Sequence, residues 1–230
     1  MLDLVAATLL IGVPIAFNVA FFELGRTFDY PGILRESTDV ILRRFDAGGT
    51  ALILRWQALL LSAVAMIPLA ALLGVTLRAG PALTAVSVVV GAAAGLVQAL
   101  GLVRWPFAVP ELARRYVAAD GPDSVAERHA IEVVFATLHR LLGVGIGEHL
   151  GYLLTGTWTL VVAVSILEAG AVTPWIGWAG LPIGAALLIG SLEFVGPNER
   201  AGWSFAGTIV PIAYVAWSVW LITVGIALLV

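Results

Sequence analysis

The sequence predicts an all-α, polytopic membrane bundle of six transmembrane helices, and two observations carry that reading. First, 60% of the residues are hydrophobic and only 12% are charged, with a mean hydropathy of +1.02, far more apolar than an average soluble domain. Second, uninterrupted apolar runs of about 20 residues, the length that crosses a hydrocarbon core of about 30 Å as helix, recur along the chain, whereas alternating barrel strands of about ten residues do not. With no soluble domain, long linker or low-complexity segment, residues 1–230 read as a single transmembrane domain.

The first span covers 4–22, LVAATLLIGVPIAFNVAFF. No basic region precedes it and no A-x-A cleavage pattern follows, so it reads as a retained helix and not a signal peptide. From Glu23 to Gly49 the chain carries Arg26, Arg35, Arg43 and Arg44 with a turn at Tyr30-Pro31-Gly32. There Ser37-Thr38-Asp39 can cap a short amphipathic helix, VILRRF. The second span, 51–77, carries Arg55, Trp56 and Gln57 near its start and contains Pro68 as an expected kink. After a tight turn at Arg78–Pro81, the third span, 82–104, holds Gly91 and Gly95 in a GxxxG arrangement, then Gln98, and ends at Arg104, Trp105 and Pro106.

A basic loop with Arg114 and Arg115 follows, and Gly121-Pro122 breaks the chain before Ser124 and Glu127, which have capping-box spacing. Apolar Ile131, Val134, Phe135, Leu138, Leu141 and Leu142 recur at three- and four-residue intervals opposite Arg128, Glu132 and His139. This predicts an amphipathic cytoplasmic helix leading into the fourth span. Helix from Ser124 to Leu167 would run about 66 Å, roughly twice one crossing, so a bend is expected at Gly143, Gly145 and Gly147. The fourth span is 144–167, the fifth 174–193 and the sixth 206–230.

Arginine placement orients the bundle. The loops after spans one, three and five hold Arg26, Arg35, Arg43, Arg44, Arg114, Arg115, Arg128 and Arg200, and the opposite side only Arg78. By the positive-inside rule both termini lie on the outer side of a cell membrane. Trp175 and Trp178 then fall at the outer interface, Trp105 and Trp203 at the inner one.

Gly143, Gly147, Gly151 and Thr155 recur every four residues and form a small-residue ridge against which other helices can pack closely. Beside it sit Glu148 and His149, and ionisable residues inside a span normally face a partner or a cavity. The orientation gathers Asn18, Arg55, Gln57, Gln98, Arg104, Glu148 and His149 in the inner half, with Tyr152 on the Glu148 side of its helix. These eight are the candidate ligand-binding residues of a polar cavity opening toward the cytoplasm. Glu148 and His149 are also the candidate catalytic pair. The bland alternative is a bundle held together by Arg55 or Arg104 neutralising Glu23, Glu148 or Glu193, with Asn18, Gln57 and Gln98 as interhelical hydrogen-bond glue.

Several chemistries are excluded or disfavoured. There is no cysteine, and all twelve basic residues are arginine, so neither a thiolate site nor a lysine Schiff base can form. A net charge of −3 gives no reason to expect nucleic acid. His129, His139 and His149 are each turned by about 80° from the one before, so one helix cannot offer all three to one metal. No metal site is expected and no cofactor is predicted. HExxH, phosphate-loop, GxSxG and dinucleotide-binding patterns are all missing.

Three functions fit these residues. The first is binding or transport of a small lipophilic or amphiphilic molecule at the cytoplasm-facing polar pocket. The second is a membrane-embedded enzyme using Glu148 or His149 as acid or base on a lipophilic substrate. The third is a structural or partner-binding subunit without ligand. The expected partners are the lipid bilayer and a lipophilic small molecule, and the Gly91/Gly95 spacing also allows a homodimer.

At GLVQALGLVRWPFAVPELA and GVGIGEHLGYLLTGTW, together with FDYPGILR and AYVAWSVWL, the chain resembles a bacterial family of six-span membrane proteins known as a domain of unknown function. The similarity extends over nearly the whole chain. It implies a six-helix membrane bundle and supplies no activity for Glu148, His149, Gln98 or Arg104.

Overall fold

Apolar runs rich in Leu, Val and Ala can satisfy every backbone polar group within one helix, the condition for standing in hydrocarbon. The computed structural model, which describes residues 1–230, is accordingly all-α. Its helices are α1 Leu2–Phe28, α2 Thr38–Leu77, α3 Pro81–Leu102, the short α4 Arg104–Phe107, α5 Val109–Ala118, α6 Ser124–Leu138, α7 Gly151–Ala169, α8 Pro174–Gly190 and α9 Ser204–Ala227. Short 3-10 turns lie at Gly32–Arg35 and Gly196–Asn198, and a π-helix, His139–Leu150, joins α6 to α7. Five helical stretches are long and apolar enough to cross a membrane: Leu2–Phe28, Thr38–Leu77, Pro81–Ala118, Ser124–Ala169 and Ser204–Ala227. The apolar α8 is shorter, at 17 residues.

Several boundaries differ from the sequence reading for identifiable reasons. Helix α1 runs on to Phe28, where Asp29 closes it in a left-handed conformation and donates its N–H to Gly25 O. Helix α2 passes through Pro68 and instead leaves helical geometry at Gly49, with φ 51° and ψ −152°, a region open in practice only to glycine. The amphipathic stretch before Gly49 and the span after it are thus one helix with a break. Neither Ser37 nor the Ser124/Glu127 pair caps with a side chain; Asp123 holds the N-cap position of α6. The bend expected at Gly143, Gly145 and Gly147 takes the form of the π-helix, whose turns widen by one residue without interrupting the helical run.

Two cores stack along the bundle. One joins α1, α2, α7, α8 and α9 through Leu10, Leu73, Trp158, Ile166, Ile176 and Leu221. In it Trp217 Nε1 donates to Thr159 Oγ1 at 3.0 Å and Trp220 Nε1 to the Ile176 carbonyl at 2.8 Å. The second core lies at the end carrying the α1–α2 connection, where Phe28, Phe45, Trp56, Trp105 and Phe135 pack. Trp56 and Trp105 stack with ring centroids 4.3 Å apart and 7° between planes. Trp105, expected at the membrane interface, is fully buried, because α4 turns its ring back under α2. Trp175 and Trp178 are exposed, and Trp203 partly so.

The arginine-rich end is laced by ion pairs of Glu23 with Arg26 and Arg55, Asp39 with Arg43, and Glu111 with Arg114 and Arg115. Arg140 belongs to this end too, through its 3.1 Å contact with Glu199.

Candidate functional site

The small-residue ridge packs directly on α3. A Cβ on Gly101 would lie 2.5 Å from Gly147 Cα, so the two backbones touch only because both residues are glycine. One turn along, Gly143 lies against the Arg104 guanidinium, where a Cβ would stand 2.6 Å from Nη2. In the other direction Gly151 faces Gln98, whose Nε2 donates to Thr155 Oγ1 at 2.8 Å. Van der Waals packing and one interhelical hydrogen bond therefore set this contact, as is usual where no hydrophobic effect drives helices together. Gly91 and Gly95 are consumed in the same way, against Ala70 and Trp158 and against Ala63 and Ile67. Both glycines therefore face helices of their own chain.

Beside this seam lies a cavity of about 260 Å³ between the two cores. Phe17, Asn18 and Phe21 line it from α1, Tyr30, Pro31 and Leu34 from the connection, and Leu59 from α2. Gln98, Gly101 and Arg104 line it from the α3 end, Gly143, Gly147, Glu148 and Tyr152 from the π-helix and start of α7, and Val210, Pro211, Tyr214 and Val215 from α9. Its walls are mainly aromatic and aliphatic. Tyr214 stacks with Phe17 at 6.1 Å and meets Tyr152 edge-on at 5.5 Å, while Tyr30 meets Phe21 at 5.1 Å.

The polar groups are few and set among those walls. Arg104, 6% exposed, donates Nη1 to the Gly101 carbonyl and lies 5.2 Å from the Trp105 ring centroid. Its Nε is buried without a protein partner. Half-buried Glu148 lines the same cavity but forms no ion pair with Arg104; the carboxylates in ion pairs are Glu23, Asp39, Glu111, Glu132 and Glu199. Asn18 Nδ2 is used on Pro14 O at 2.7 Å and Ser218 Oγ at 2.9 Å, tying α1 to α9 at the cavity edge.

Of the eight sequence candidates, five line this space: Asn18, Gln98, Arg104, Glu148 and Tyr152. The other three stand elsewhere. His149 sits one residue from Glu148, so it points to a different side of the helix, and its Nδ1 lies 2.7 Å from the Ser191 carbonyl. Arg55 approaches Glu23 at 3.8 Å, and Gln57 is half-buried off the cavity. Sequence reasoning did not single out Tyr30 and Tyr214. Each lies in a stretch that carries the family resemblance, and all four such stretches contribute to the lining. No three His, Asp or Glu side chains stand close enough to hold a metal ion.

Chemically, the cavity joins a guanidinium, a carboxylate and tyrosine rings to apolar walls, a combination that orients a ligand by few polar groups while burying its surface. No curated protein and no solved structure matches the chain. A family model described as "Domain of unknown function (DUF4386)" matches residues 5–225. With that match and its apolar membrane-length helices, this integral, multi-pass membrane protein belongs to the DUF4386 family.

Proposed function

We propose that the protein holds a small lipophilic or amphiphilic molecule in the cavity between α1, α3, the π-helix and α9, as a binding or transport protein. The observation that carries the reading is the lining itself: Arg104 and Glu148 face one apolar space of about 260 Å³ without pairing with each other. A bundle held only by internal glue would pair such groups, because ionisable side chains left unpaired in a membrane interior are costly. The volume is just under the usual lower limit of about 300 Å³ for drug-sized ligands, which suits a single-chain or compact molecule.

In this reading α8, whose 17 residues meet the lower limit of about 17 for a span, is the fifth of six crossings. Helix α6 is then the amphipathic cytoplasmic helix before the fourth, supported by Ile131 and Phe135 packing into the second core. The arginine-rich end faces the cytoplasm and both termini face outward across the cell membrane. The cavity lies toward the cytoplasmic end.

Mass spectrometry of the protein purified from membranes tests the ligand. The parent should carry a co-purified small molecule, and Leu34→Trp, which fills the cavity, should lose it while eluting and melting as a folded protein. Retention unchanged by Leu34→Trp would overturn the reading. Turnover of the recovered molecule would assign catalysis to the same cavity.

A further inference from the structure

The two charged groups of the cavity constrain the chemistry of whatever binds, and this rests on the cavity being a ligand site as proposed above. Arg104 and Glu148 have opposite formal charges, face the same space and do not pair. Gly143 and the Gly101 carbonyl hold the guanidinium on one side, and its Nε is buried with no protein hydrogen-bond partner. The carboxylate is an acceptor with no protein hydrogen bond among the side-chain contacts of the cavity.

A headgroup with net negative charge would gain Arg104 and be repelled by Glu148. One with net positive charge would meet the reverse. With apolar walls around them, neither repulsion is screened as it would be in water. A neutral headgroup carrying both a donor and an acceptor meets no such opposition, since its acceptor can take the Arg104 N–H and its donor can serve Glu148. The volume leaves room for one slender tail.

We infer that the site selects a single-chain amphiphile whose headgroup has no net charge and both donates and accepts hydrogen bonds, such as a primary amide, bridging Arg104 and Glu148. A two-tailed phospholipid is too large to enter whole.

A matched series of decanamide, decanesulfonate, decylammonium and decane, titrated onto the full chain in mild detergent and read by thermal shift and native mass spectrometry, tests this. Decanamide should bind about tenfold more tightly than either ion. Glu148→Gln should raise sulfonate affinity to the level of the amide or above, and Arg104→Gln should do the same for decylammonium. Should Arg104→Gln fail to fold, the Glu148→Gln arm decides alone.

Sulfonate or ammonium matching the amide on the parent protein would overturn the inference, as would a Glu148→Gln variant with sulfonate affinity unchanged. Equal binding of decane would also overturn it, yet leave a lipophilic site in place. Failure of all four probes would overturn this inference and the cavity reading together.

Discussion

Arg104 takes part in three contacts that no sequence pattern announces: it lies under Gly143, donates to Gly101 O and covers Trp105. Each depends on a neighbour being small or aromatic. Gly101→Ala should therefore destabilise by about 1–3 kcal/mol, the usual cost of overpacking, because its Cβ would meet backbone at Gly147, which cannot swing aside. Gly145→Ala is the control, since its Cβ would meet only Arg140 O at an ordinary 3.6 Å. Melting of both variants in the same detergent checks the pair, and equal melting would remove the close approach from the account. Trp105→Ala should cost about 3–5 kcal/mol, since the ring is fully buried and stacked on Trp56.

Among the elements, α2 shows how one residue divides a long helix. Gly49 has open space around its Cβ position, so Gly49→Ala tests backbone strain alone and should cost about 1–3 kcal/mol. Chemical or thermal unfolding measures it, and a neutral result would mean that the break tolerates a side chain. The stretch before Gly49 is fastened to α5 and α6 through Tyr116. That ring lies beneath Arg43 and Arg128, and its hydroxyl donates to Glu132 at 2.8 Å. The Arg43 hydrogen bond at 2.7 Å holds the Asp39 carboxyl below its ordinary range. Because the folded value is depressed, the stability contributed is present above the unfolded carboxylate value and is lost as pH falls through the folded one. Arg43→Gln should move that titration up, toward the ordinary carboxylate value near pH 3.9, as followed by carboxyl carbon NMR. An unmoved titration would show that Arg43 is not the cause.

For the whole molecule, the arginines other than Arg78 collect at one end and two exposed tryptophans, Trp175 and Trp178, lie near the other. Reporter fusions after Val230 should report outside, and fusions in the loop at Gly121 should report cytoplasm, as the positive-inside rule requires. The reverse pattern, or a cytoplasmic signal after Val230, would invert the bundle and turn the cavity end outward. Two stacked cores with a cavity between them also mean that filling that space need not unfold the protein, since each core has its own aromatic and aliphatic packing.

The helical class and the membrane-length runs were legible from the sequence alone, because a chain this apolar has to close its backbone hydrogen bonds locally. The loss of regular α-geometry near Gly143 to Gly147 was legible as a region, since glycine marks it, whereas the break at Gly49 was not, the kink of that segment being expected at Pro68. The π-helical form was not legible: that stretch packs against Gly101 of α3 and Arg104 of α4, residues some forty positions away. The candidate site divided in the same manner. Glu148 and Arg104 stand out in any apolar sequence, yet their shared cavity, the turn of His149 toward Ser191 and the arrival of Tyr30 and Tyr214 depend on how α1, α3 and α9 close around one space. Local sequence settles which backbone can stand in lipid, since that requirement is met within each helix; which side chains meet is decided by packing among helices, a property no single stretch contains.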